Sequence, residues 1–202
     1  QTCALPILLT DPLFPVEETH RERGVVLEEI KQRDDDPEDL VHDIFAETLF
    51  PKHALGVPVI GRADVIATAE PEHLRKLMAE RYQGNRITIA LSGNVNHDLV
   101  IEQITAAMGH LGRGTARTPL ALPTVCTGRN YVSEDTEQVH FCLGQRGPSH
   151  HTDDRYAAML LDCIIGGSMG SRLFQEIREK RGLAYSIGSY VQPYDEIGVT
   201  GA

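Results

Sequence analysis

Apolar positions along this chain fall into runs of helical spacing and shorter strand-like runs, mixed without strict alternation. VEETHRERGVVLEEIKQR, following Pro15, predicts a helix ending near Arg33: Pro suits the first helical position, and Glu17 and Glu18 suit the positive end of the helix dipole. Asp36 reads as an N-cap and Pro37 as the first residue of a second helix carrying Leu40, Ile44 and Leu49. A Gly- and Pro-rich loop over 50–66 precedes a third helix, about 71–82. RITIALSG at 86–93 reads as a strand, and Asn96 as the cap of a helix with Leu99, Ile101, Ile104, Met108 and Leu111.

Residues 112–124, GRGTARTPLALPT, have no hydrophobic period and are dense in Gly, Pro and Thr, which marks a linker. Beyond it, 125–135 and 138–146 read as strands, and TDDRYAAMLLDCIIGG as a helix capped by Thr152 or Asp153 and ended by Gly166. A helix over about 171–180 and strands over 185–192 and 197–202 complete the pattern. Such mixing predicts α+β domains of two-layer sandwich type instead of a doubly wound sheet. The expected organisation is a first domain over 1–111, the linker 112–124, and a second domain over 125–202. Both ends read as cut: Gln1 is not an initiating Met, and IGVTGA stops in mid-strand, so both domains are expected to be truncated.

Composition narrows the function classes. The 202 residues carry 19 basic against 29 acidic side chains, a formal net charge of -10, and no Trp. No basic face interleaved with aromatics is visible, so nucleic acid is not an expected partner. Four cysteines (Cys3, Cys126, Cys142 and Cys163) are scattered without a C-x-x-C pair, which argues against a Cys-based zinc site or disulfide scaffold. That usage fits a reducing compartment, the cytoplasm of a bacterium or the mitochondrial matrix of a eukaryote. No apolar run approaches the ~20 residues needed to cross a bilayer, so membrane insertion is not expected.

Two residue pairs hold candidate chemistry. Glu22 and Glu29 are seven apart on the first helix, hence on nearly one face with roughly 10.5 Å of rise between them. At that separation they cannot share one zinc ion, though one can bind metal while the other orients a ligand. Val26 and Ile30 point about 60 and 100 degrees away from Glu29, so by pattern alone this is a solvated acidic edge beside an apolar stripe. Arg178 and Tyr185 are also seven apart, but Gly182 lies between them and reads as a helix C-cap. Arg178 is then expected in the last helical turn and Tyr185 in the following strand. By pattern alone, Arg178 would pair with Glu176 or Glu179 and Tyr185 would fill core.

Other motifs are weaker. GGSMGS lacks G-K-[ST] and follows a helix, so it reads as a tight turn with Ser171 as cap and not as a phosphate loop. His150–His151 reads as a solvated pair. Asp34, Asp35 and Asp36 lack the spacing and central Gly of a calcium loop.

GGSMGSRLFQEIREKRGLAY (166–185) closely resembles the C-terminal-domain signature of the pitrilysin/insulinase zinc peptidases, which include the mitochondrial processing peptidases. ERGVVLEEIKQRDDDPED (22–39) is similar to the segment holding that family's third zinc ligand. The resemblance implies that Glu29 binds Zn2+ and Glu22 supports the site by hydrogen bonds. It implies that Arg178 and Tyr185 hold substrate carbonyls and steady the tetrahedral intermediate. The family's remaining ligands and general base come from H-x-x-E-H, which none of the nine histidines forms in this chain. Truncation before that motif, or a partner-type subunit without it, would explain this; either way the chain alone is expected not to cleave peptides. The implied whole is a zinc metalloendopeptidase acting on peptides or unfolded chains, as a possible homo- or heterodimer. The alternative is a catalytically silent peptide-binding or core-type scaffold subunit.

Overall fold

The computed structural model describes residues 4–116 and 121–202. Cys3 and residues 117–120 of the expected linker lie outside them. In chain order the α-helices are α1 (Ala4–Thr10), α2 (Val16–Asp34), α3 (Pro37–Leu49), α4 (Ala63–Ile66), α5 (Pro71–Arg81), α6 (His97–Met108) and α7 (Asp154–Ile165). A π-helical segment covers Phe174–Glu179, and the strands are β1 (Gly144–Gly147), β2 (Tyr190–Pro193) and β3 (Gly198–Gly201). Mixed helices and a small antiparallel sheet make this an α+β fold, as the pattern predicts.

The described chain divides into two compact units, 4–29 with 63–116 and 30–62 with 121–202. In the first, α1 lies against α6. One carboxylate ties α2 to the start of α5: Glu70 Oε2 meets His20 Nε2 at 2.8 Å, and Arg23 donates to Glu70 Oε1 at 2.9 Å. Glu70 is also the N-cap of α5, its backbone N–H donating to His73 Nδ1 in a capping box. The same hydrogen bonds, His20 first and Arg23 second, hold the Glu70 carboxyl below its ordinary range. Asn96 caps α6 as expected, accepting from the Leu99 amide at 3.1 Å.

The second unit is organised by a three-stranded sheet of order β1-β3-β2, both pairings antiparallel, with Gly201 opposite Gly144 on one side and Tyr190 on the other. Its core joins Leu49 and Phe50, at the end of α3, to Ile197 and Val199 around β3. Phe50 is 1% exposed. Phe45, Leu55, Val125, Tyr190 and Tyr194 pack around these four. Gly144 is needed for this closeness, because a Cβ there would stand 2.6 Å from the Phe45 ring. Asp36 caps α3 as predicted, accepting from the Glu38 amide at 2.9 Å. Arg33 Nη1 and Asp43 Oδ2 lie 2.7 Å apart, yet the contact lacks hydrogen-bond alignment and is purely electrostatic. Burial, outweighing Arg33, raises the Asp43 carboxyl.

Several predicted elements differ in extent. Residues 86–93 form no strand: Gly84–Arg86 is a 3₁₀ turn, and from Ile87 (φ -108, ψ 124) the chain continues without regular structure. Residues 125–135 likewise form no strand, 138–146 contributes only its last three residues to β1 (Gly144–Gly147), and 185–192 begins pairing at Tyr190. Periodicity fixes a local preference, whereas a strand also needs a ladder partner, and 86–93 and 125–135 find none among the described residues. The helix expected over 171–180 becomes π-helical from Phe174. Two short helices, α1 and α4, form where no period was visible.

Candidate functional site

Glu22 and Glu29 sit on α2, where the 3.6-residue period places them on one face. Both are exposed, while Val26 and Leu27 are half-buried and Ile30 is 3% exposed. Neither carboxylate has a hydrogen bond or ion pair among the described residues. Glu29 therefore borders the apolar stripe but turns to solvent, its oxygens uncommitted.

Arg178 and Tyr185 are brought together. Leu183 N–H bonds the Ile177 carbonyl at 3.0 Å and Gly182 N–H bonds the Arg178 carbonyl at 3.1 Å, closing the helix end. Gly182 adopts φ +60, the left-handed conformation that lets the chain reverse. The reversal carries the Tyr185 ring back to Arg178, whose guanidinium carbon stands 4.8 Å from that ring's centroid and 4.9 Å from that of Phe174. The acid partners expected from pattern alone are not used: Glu176 pairs with Lys180 at 2.5 Å, which lowers the Glu176 carboxyl. Nor does Tyr185 fill core, being 84% exposed.

Phe174 was not anticipated as part of this group. The signal that reveals it is its spacing, four residues before Arg178 on one helical face. Ser171, 2% exposed, caps the segment as expected, accepting from the Phe174 amide at 3.4 Å. The Gly166 loop packs closely: a Cβ there would meet the Ser189 amide at 2.2 Å. Ser189 Oγ in turn donates to Asp162 Oδ1 at 2.5 Å, tying α7 to the chain before β2.

The other titratable groups with shifted behaviour are structural. Burial raises the Cys142 thiol and the Tyr190 phenol, whose Sγ and Oη lie 3.4 Å apart, and also raises Tyr194. A groove of about 810 Å³ beside α7 and β1, lined by Arg146, Leu161, Asp162 and Thr200, includes neither Arg178 nor Tyr185. His150 and His151 are both exposed, and His151 meets exposed Asp195 at 2.7 Å.

Zinc takes about four donors. Among the described residues no three His, Cys, Asp or Glu side chains group to hold a metal. The described residues by themselves do not make up a zinc site.

The model of the peptidase M16 inactive domain matches residues 68–202, two thirds of the chain. The chain belongs to the M16 peptidase family. Residues 68–202 include Arg178 and Tyr185 and exclude Glu22 and Glu29. Among relatives, a protein of Streptomyces coelicolor named an uncharacterized zinc protease is 40% identical over 96% of the chain and 44% of its own length. One so named from Bacillus subtilis is 36% identical over 92% of the chain and 45% of its own. The chain thus spans less than half the length of these M16 relatives. The peptidase M16 inactive domain from Pseudomonas fluorescens superposes with TM-score 0.88 at 24% identity, over 97% of this chain and 48% of that one. A Helicobacter pylori protease does so with TM-score 0.75 at 24% identity, over 92% and 46%. At such identities these structures show a shared fold. No described helix is long and apolar enough to cross a membrane.

Proposed function

We propose that this chain belongs to an intact zinc-dependent metalloendopeptidase of processing-peptidase type, in which it supplies a substrate clamp and one metal donor. The observation that carries the reading is the juxtaposition of Arg178 and Tyr185 at the capped helix end. Sequence relatives named zinc proteases support the same class.

Arg178 has no ion pair among the described residues, so its N–H groups stay free for oxygen acceptors. The exposed Tyr185 hydroxyl adds a donor beside them. A guanidinium and a phenol together bind a peptide carbonyl, and bind it more strongly once it becomes an oxyanion. That difference lowers the barrier to hydrolysis instead of merely tightening substrate binding. Glu29 would be one carboxylate donor to zinc, with Glu22 steadying a neighbouring ligand; bound zinc supplies Lewis-acid polarisation of the scissile carbonyl. The remaining donors and the general base are not provided by the described residues. Residues 1–111 and 125–202 would serve two domains joined at 112–124. The substrate is an extended peptide, the setting a reducing cytoplasm, the assembly a homo- or heterodimer, with no nucleic acid or membrane insertion involved.

The test is peptide cleavage by the full-length protein. Arg178→Ala should lower kcat by about 100-fold, the size expected for one oxyanion donor, with zinc content unchanged. Unaltered cleavage would remove Arg178 from the site, whereas no cleavage by the wild-type protein would favour the silent scaffold reading.

A further inference from the structure

The geometry assigns Phe174 a positioning role: its ring, with that of Tyr185, holds the Arg178 guanidinium in place and leaves its N–H groups free. This rests on the clamp reading above and deepens it. A long arginine side chain is usually fixed by a carboxylate, which occupies the same N–H groups that substrate would need. Here the fixing is done by ring faces. The guanidinium carbon lies 4.9 Å from the Phe174 centroid and 4.8 Å from the Tyr185 centroid, both within the range of cation–π attraction. Such contacts engage the faces of the rings without consuming hydrogen-bond donors. Nearby Glu176 is drawn elsewhere, taken by Lys180.

The backbone places Phe174 for this task. Its amide donates to buried Ser171, which anchors the segment's start. Four residues later Arg178 emerges on the same side. The π-helical widening, with Lys180 N–H reaching the Gln175 carbonyl at 3.0 Å, spans the residues between. Segments of this kind concentrate at functional sites because they re-aim a side chain at some cost in helix stability. Phe174 touches no substrate in this account; it acts through Arg178.

A double-mutant cycle on the full-length protein tests this. Phe174→Ala and Phe174→Leu should each reduce kcat about fivefold at nearly unchanged KM, the scale of one cation–π contact, and Phe174→Tyr should restore it. In an Arg178→Ala background the Phe174→Ala change should add no further loss. An equal loss in both backgrounds would show a merely structural Phe174 and overturn the assignment. So would wild-type kcat in Phe174→Ala when Arg178→Ala is impaired. An Arg178→Ala enzyme with full activity would instead overturn the clamp reading itself. A readout independent of turnover is available in the 202-residue chain: ring currents should shift the Arg178 side-chain resonances upfield, and Phe174→Leu should move them toward ordinary values. Unmoved resonances would contradict the contact.

Discussion

Two pairs of candidate residues share a seven-residue spacing and are built by different physics. Glu22 and Glu29 stand on an uninterrupted α-helix, where spacing alone dictates that they share a face. Arg178 and Tyr185 stand on either side of a left-handed glycine, where spacing dictates nothing and a helix cap decides that they meet. The first pair is exposed and uncommitted; the second is already assembled, its cation seated on two rings. A helix face can be a ligand half waiting for its complement, whereas a capped reversal can build a whole contact from one short stretch of chain.

The largest effect should come from the packing of the unit that contains the assembled pair. Phe50→Ala removes its most buried large side chain and should cost about 3–5 kcal/mol in denaturant unfolding. A loss under 1 kcal/mol would mean that the core is not centred there. Next, Gly182→Ala forces a Cβ into the left-handed region, where no neighbour lies within 4 Å to clash, so strain alone should cost about 1–2 kcal/mol. If cap geometry brings the pair together, the Arg178 resonances should move with it. The uncommitted pair predicts the reverse: Glu29→Gln should change the chain's stability by no more than about 0.5 kcal/mol, because an exposed carboxylate without a partner is lost at little cost. The smallest effect concerns Glu70. Its carboxyl is held low by His20 and Arg23, so it stabilises the fold above its ordinary titration range and loses that contribution as pH falls through the lowered value. Thermal midpoints of wild type and Glu70→Gln should therefore differ at pH 7 and converge in acid; a constant gap would mean the contact is not ionic.

These contrasts also mark what the sequence makes legible. Local signals transferred well: the Asp36 and Asn96 caps, Pro37 and Pro71 at helix starts, and Gly182 at a helix end are each settled by a few neighbouring atoms. Strand extents transferred poorly. RITIALSG has the right residues, yet a ladder depends on a partner distant in sequence, and pairing is confined to three four-residue strands. At the site, the resemblance singled out Arg178 and Tyr185 but not the contact between them, which the helix cap creates, and Phe174 was missed because an aromatic at helical spacing usually means core. Pattern alone put Glu29 on a solvated edge beside the apolar stripe, and it is exposed; the inward-facing side chain expected from the resemblance is not seen.

The most direct measurement is zinc stoichiometry in the full-length protein bearing Glu29→Gln beside wild type. The account predicts about one zinc per chain in wild type and little or none in the variant, with Arg178→Ala retaining its metal. A Glu29→Gln protein that keeps a full complement of zinc would contradict it.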